Sequence, residues 1–221
     1  AMLRRASEIA DLSLQAIIDI ARPGITEREA AAVAMESFVR NGGDPGMLGI
    51  ITAGNGWGFL HGHLHDNPLS AGDVLHLELC PRYRGYGARV MRCVAIGGPS
   101  EELARISDTL IELQDRQIAA LKPGAVARDV DAILRQGALQ AGIRDSYDNI
   151  TGYTLGYYAD QPLRASDFTW IFHPRAEWTV EAGMTFHMYA SAGGIAISET
   201  VLVGPDGPER LTKFERRLFS A

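Results

Sequence analysis

Two short stretches of the chain alternate apolar and polar residues with the period of a half-buried strand. In 74–80, Leu75, Leu77 and Leu79 fall on one face, and Val74, His76, Glu78 and Cys80 fall on the other. In 184–190, Met184, Phe186 and Met188 share one face, while Thr185, His187 and Tyr189 share the opposite one. The stretches also align with each other: 71–79 (AGDVLHLEL) matches 182–190 (AGMTFHMYA), and 85–94 (GYGARVMRCV) matches 194–203 (GIAISETVLV).

A second internal match lies upstream of each. Residues 18–30 (IDIARPGITEREA) and 118–130 (IAALKPGAVARDV) both read as a helix end, a basic residue, Pro-Gly and a new helix running to Gly42 or Gly142. Thr26 and Glu29 have the spacing of a capping box. The chain thus contains two copies of helix, Pro-Gly, helix, strand, strand, with further strands around them. Their spacing is too long for a solenoid, and no linker separates them. The prediction is an α+β fold of two halves related by a pseudo-twofold, forming one domain over 1–221. Helices would cover the apolar strand faces, leaving the polar faces to line a cleft shared by the repeats.

Composition narrows the function. A 46% hydrophobic and 22% charged chain of 221 residues is globular and can bury a large core. Its net charge of −6, with no basic block, argues against nucleic-acid binding. No apolar run has the roughly 18 residues a membrane span needs. Arg4, Arg5, Glu8 and Asp11 interrupt any early apolar stretch, so no signal peptide is read and the expected location is cytoplasmic. Cys80 and Cys93 lack C-x-x-C spacing and are expected to be buried free thiols. Elbow, Walker, H-E-x-x-H and dinucleotide motifs are missing in their required settings.

Several motifs in order carry a resemblance. They are the two Pro-Gly helix pairs, His61 twelve residues before Asp73 in the Gly72-Asp73 turn, Gly85-Tyr86, and Gly152-Tyr153-Thr154-Leu155-Gly156. Gly183-Met184-Thr185-Phe186 and 198–203 (SETVLV) complete the set. Almost end to end, the chain resembles the pita-bread domain of the creatinase, prolidase and methionine-aminopeptidase family. The resemblance implies a curved antiparallel sheet with helices on its outer face, without the N-terminal domain of creatinase and prolidase. Peptidases of that family bind two divalent metals through two aspartates, a histidine and two glutamates. Those positions here are Glu78, Arg89, Tyr153, Tyr189 and Ser198. Only Glu78 is still a carboxylate, and Arg89 places a fixed positive charge in the cage, so no metal and no other cofactor is expected. Glu78, Tyr86-Gly87-Ala88, the Gly-Tyr-x-x-Gly turn, Gly-Met-Thr-Phe-His and Ser-Glu-Thr look closer to metal-free ectoine-hydrolase-like and creatinase-like members.

The resemblance then implies a metal-independent hydrolase of a C–N bond in a small zwitterionic nitrogen compound. His61 would protonate the leaving nitrogen, and Glu78 would act as base or nucleophile. His187 is a further catalytic candidate, or a hydrogen-bonded core group; its repeat mate His76 is a weaker one. Arg89 either pairs with Glu78 or anchors a substrate carboxylate. Tyr153 and Tyr189 either donate to substrate or fill the cage, and Ser198 either bonds substrate or is a small filler. Glu199, on the other strand face with Ile197 and Val201, reads as structural. His63 and His65 read as exposed. Trp170, Phe172 and His173 lie in an irregular stretch over 157–180 that is expected to form a lid. The expected partner is a small molecule, and the expected assembly, by analogy, a homodimer. The competing readings are an inactive binding module and, third, a residual Xaa-Pro-type peptidase.

Overall fold

The computed structural model describes residues 1–157 and 170–221. Helices α1 (Met2–Ile20) and α2 (Glu27–Arg40) are followed by strands β1 (Gly49–Gly54), β2 (Val74–Leu79), β3 (Arg82–Tyr83), β4 (Tyr86–Gly87) and β5 (Val90–Ala95). Helices α3 (Glu101–Ala119) and α4 (Ala127–Gln140) precede β6 (Gly152–Thr154), β7 (Thr185–Ala192), β8 (Ile195–Val203), β9 (Pro208–Arg210) and β10 (Phe219–Ser220). The repeat read from the sequence is therefore the repeat of the fold. The expected capping box closes on α2: Glu29 N–H donates to Thr26, and the Thr26 backbone N–H donates to Glu29.

The main sheet runs β1-β2-β5-β8-β7-β6, with every neighbour antiparallel. The order is a palindrome: β1, β2 and β5 of the first half mirror β6, β7 and β8 of the second, about a seam between β5 and β8. At that seam only Met91 pairs with Ser198. The last strand crosses back, since β10 lies parallel to β5 in the first half.

Helices pack on one face of this sheet, as the alternation requires. Leu75, Leu77, Leu79, Val90 and Val94 join α1 and α2 residues such as Ile9, Leu14, Ala34 and Phe38. Phe186, Met188 and Val201 join Ile118 of α3, Val130 of α4 and Leu121 of the turn between them. Burial of these side chains contributes roughly 1.5–3 kcal/mol each.

The same face also holds charge at its centre. Arg92 and Glu199 are both fully buried, and Arg92 Nη2 donates to Glu199 Oε1 at 2.8 Å. Arg92 also donates to the carbonyls of Met91, Ser198, Phe214 and Glu215, while Glu199 takes Thr212 and lies 3.2 Å from Arg216 Nε. Glu199 is thus the satisfied structural carboxylate expected. Phe172 corrects an expectation: it is fully buried, its N–H donates to Gly152 O, and it packs on Phe186 and Trp178. It is core, not lid. Trp170 is exposed and His173 part-buried; the expected lid's 158–169 lie outside the described residues.

Candidate functional site

Strand register assembles the cleft face. One row of cross-strand partners reads Glu78, Met91, Ser198, Tyr189 across β2, β5, β8 and β7. The adjoining row contains Thr200, His187 and Tyr153 across β8, β7 and β6. Arg89 joins it at Thr200, whose hydroxyl accepts from Arg89 N–H at 2.9 Å and donates to Arg89 O at 2.8 Å. A flat sheet would keep the ends of such rows far apart. Here the Arg89 guanidinium carbon lies 5.6 Å from the centroid of the Tyr153 ring, so the sheet's curl brings the side chains together.

The contacts form a chain. Arg89 Nε donates to Glu78 Oε1 at 2.5 Å. The Tyr153 ring meets His187 edge-on with centroids 4.9 Å apart, and His187 stacks on Tyr189 at 5.3 Å. His187 Nε2 and Ser198 Oγ lie 2.6 Å apart. Either tautomer leaves one hydrogen over: if Ser198 donates to Nε2, the ring hydrogen sits on Nδ1 without an acceptor. The reverse leaves the hydroxyl hydrogen without an acceptor among the described residues. Two atoms of this cluster are buried without a hydrogen-bond partner, Glu78 Oε2 and His187 Nδ1.

Electrostatics follow from burial and the Arg89 charge. Burial opposes ionisation of Glu78, yet Arg89 and the neighbouring histidines hold its carboxyl well below the usual range. Burial and then Arg89 push the His187 imidazole down to about 3, so it is neutral at ordinary pH. Tyr153 and Tyr189 are pushed up by burial and keep their protons. His76 is also fully inside. Burial lowers its pKa, but Cys93, with its sulfur 3.8 Å from Nδ1, and Glu78, 3.9 Å from Nε2, raise it to about 9.

The structure therefore brings together Glu78, Arg89, Tyr153, His187, Tyr189 and Ser198. It leaves His61 apart: the residue is exposed on the β1–β2 connection and makes no hydrogen bond to this cluster among the described residues. Its neighbours Phe59 and Leu60 do reach the cleft face, packing with Met91, Ala196 and Tyr189. Gly194 permits this approach, because a Cβ there would stand 2.2 Å from Gly56 O. His63 and His65 are exposed as expected, although His65 Nδ1 lies 3.2 Å from buried Glu27. Cys80 and Cys93 are buried free thiols. Sequence reading missed Thr200, which fixes Arg89 from both sides of its backbone. Its position two residues beyond Ser198, on the same strand face, was the available signal.

Residues 1–205 match metallopeptidase family M24. The chain belongs to that family. It is 30% identical over 220 residues to a Xaa-Pro dipeptidase of Pyrococcus furiosus, covering 99% of this chain and 62% of that one. A Xaa-Pro dipeptidase of Pyrococcus horikoshii is 28% identical over 220 residues, again with 99% and 62% coverage. The solved prolidase of Pyrococcus furiosus superposes with a TM-score of 0.85 at 28% identity, covering 97% of this chain and 64% of that one. The chain thus spans under two-thirds of the length of these relatives. The α+β pita-bread fold expected from the sequence is shared with them.

An M24 metal pair can be tested against the donors present. At the five positions assigned to ligands by resemblance, one carboxylate remains and it is already paired with a guanidinium. Two others are phenols that stay protonated, and the serine is bonded to His187. Among the described residues no group of three or more His, Cys, Asp or Glu side chains is placed to hold a metal ion. Two dications need several hard anionic oxygens, and this set does not fit them.

Proposed function

We propose that this M24 chain is the cleft-bearing domain of a hydrolase that opens a C–N bond in a small zwitterionic nitrogen compound without the family's metal pair. The observation that carries the reading is the Arg89–Glu78 contact, a protein cation seated where metal ligands would converge. The hydrolase half of the reading is supported by family membership and by relatives named Xaa-Pro dipeptidase.

In this mechanism water adds to the substrate carbon, the C–N bond breaks, and the nitrogen departs with a proton. Glu78, held ionised by Arg89, takes the water proton, or attacks the carbon itself to expel the nitrogen and form a mixed anhydride that water then cleaves, freeing Glu78. Tyr153 and Tyr189, protonated at any physiological pH, donate to the oxygen or nitrogen that gains charge. His61 supplies the proton to the leaving group from the loop seated on Met91 by Leu60. An ectoine-like or creatine-like compound suits a site with one fixed cation and one fixed anion.

A second reading, a binding module without turnover, is favoured by His61 standing apart from Glu78. The relatives' names keep Xaa-Pro dipeptides in the test as substrates. Protein treated with excess chelator is incubated with ectoine, creatine and Xaa-Pro dipeptides, and products are followed by mass spectrometry. Turnover under chelator supports the proposal. Turnover only after manganese, cobalt or zinc is restored overturns it in favour of a metallopeptidase. Saturable binding without product supports the module.

A further inference from the structure

The Arg89–Glu78 pair leaves one edge of the guanidinium uncommitted. Arg89 uses Nε on Glu78, and neither terminal nitrogen donates a hydrogen bond to another described residue. The side chain keeps 16% of its surface exposed while its Glu78 partner keeps 2%. The planar fork of Nη1 and Nη2 is therefore available from the cleft side, held in place by Glu78 behind it and the Thr200 hydroxyl at its backbone.

A second donor stands beside it. The His187 ring is fully buried, its Nε2 is taken by Ser198, and Nδ1 has no hydrogen-bond partner. Buried polar atoms are nearly always satisfied, so this unpartnered nitrogen beside the Arg89 fork can take a polar atom from outside the chain. The Tyr153 ring contacts both groups, with Arg89 at 5.6 Å and His187 at 4.9 Å from its centroid. Among the five positions that hold metal in peptidases, the one filled by Arg89 thus carries an N–H donor fork, with the His187 nitrogen beside it.

We propose that the cleft seats the carboxylate of a small ligand on the Arg89 fork, with His187 Nδ1–H as a further donor. A guanidinium fork matches the two oxygens of a carboxylate. A monoanion is favoured over a dianion such as phosphate, because the Glu78 charge sits directly behind Arg89. The inference rests on the proposed hydrolase only in identifying the ligand as substrate, and binding itself needs no turnover.

N-acetylglycine and its neutral counterpart N-acetylglycinamide are titrated into the full chain by calorimetry, with the histidine ring nitrogens followed by NMR. The acid is expected to bind at one site at least tenfold tighter than the amide and to shift the His187 resonances. Arg89→Lys, which keeps the charge and loses the fork, should weaken the acid about tenfold and leave the amide unchanged. His187→Phe, which keeps the ring stack and loses the donor, should weaken it about threefold. Equal affinity for acid and amide overturns the proposal, as does an Arg89→Lys protein that binds the acid normally. The acid–amide comparison on the unaltered protein decides the matter if the Arg89 variant does not fold. Turnover of a carboxylate-free amide with no preference for the acid removes this inference and keeps the hydrolase; preference for the acid with no turnover does the reverse.

Discussion

Arg92 and Glu199 face each other across the sheet seam at 2.8 Å with no exposed surface on either, one strand layer away from the Arg89–Glu78 pair on the opposite face. Each face of the sheet centre thus contains an arginine–glutamate pair, and the two pairs answer to different demands. The helix-side pair has its hydrogen bonds made by carbonyls and Thr212, with Arg216 in ion-pair contact at 3.2 Å. The cleft-side pair leaves Glu78 Oε2 and an edge of Arg89 open.

Breaking the helix-side pair should therefore damage stability and not ligand recognition. Glu199→Gln leaves Arg92 buried without its ion-pair partner, while Arg216 keeps Asp115, a loss of about 3–5 kcal/mol by comparison with other broken buried pairs. Chemical denaturation should show a midpoint shift with an unchanged slope, and any ligand affinity measured on the folded fraction should match the parent.

Two buried histidines should give stability an optimum in pH. His187 is held near 3 in the folded chain against 6.5 when free, so below 6.5 the unfolded chain binds a proton that the native one refuses. Stability then falls as pH drops. His76 is raised to about 9 from 6.5, so its contribution is complete below 6.5 and is lost as pH climbs through 9. The maximum should lie near pH 6.5, each limb sloping by at most about 1.4 kcal/mol per pH unit. Thermal melts of His187→Phe between pH 4.5 and 6.5, above the range where free glutamates titrate, should show the acid limb flattened.

Metal binding should return only when the donors do. The combined substitutions Arg89→Asp, Tyr153→His, Tyr189→Glu and Ser198→Glu, with Glu78 retained, rebuild the set of carboxylates and imidazole that the M24 resemblance assigns. Elemental analysis after dialysis against manganese is expected to find about two ions per chain in that variant. If the parent chain binds as much, the reading of its cleft as metal-independent falls.

Gly194 should control the loop that carries His61. Its φ is +86° and a Cβ would meet Gly56 O at 2.2 Å, so Gly194→Val combines backbone strain with a clash. The loop over 55–61 must lift from the β7–β8 hairpin. Hydrogen exchange at 55–61 should accelerate while the helices stay protected, and turnover, where present, should fall by about tenfold or more. Unchanged exchange there would mean the contact is not what holds the loop.

Most of the architecture was legible because it is repeated and periodic. The Pro-Gly helix pairs and the alternation at 74–80 and 184–190 located the helices, the central strands and the face on which Glu78, His187 and Tyr189 lie. Motif order identified Arg89, Tyr153 and Ser198 as their neighbours. What was not legible depends on tertiary contact. Nothing in the local pattern at Gly49–Gly54 marks β1, whose identity comes from pairing with β2. Phe172 sits in an irregular stretch and is buried by Trp178 and Phe186, residues remote from any local signal. The position of His61 relative to Glu78 likewise depends on how a loop packs, and spacing in sequence does not encode that. The unpartnered His187 nitrogen and the open edge of Arg89, the basis of the carboxylate proposal, exist only once strands are in register.

The final strand gives the molecule a clasp. β10 belongs by sequence to the second half but lies parallel to β5 of the first, with Gly97 N–H donating to Ala221 O and Ala221 N–H to Ala95 O. The seam has one pair in strand register, Met91 with Ser198, and bonds of Arg89 to Thr200, Cys93 to Ala196 and Arg92 to Ser198 and Glu199; the returning end adds its own ties to these. Shortening the chain by a few residues at this end would loosen the alignment of two rows of side chains more than 20 positions away in sequence. A reporter or linker for mechanical or fluorescence work is therefore better joined at the N-terminal helix, where its bulk leaves the clasp shut.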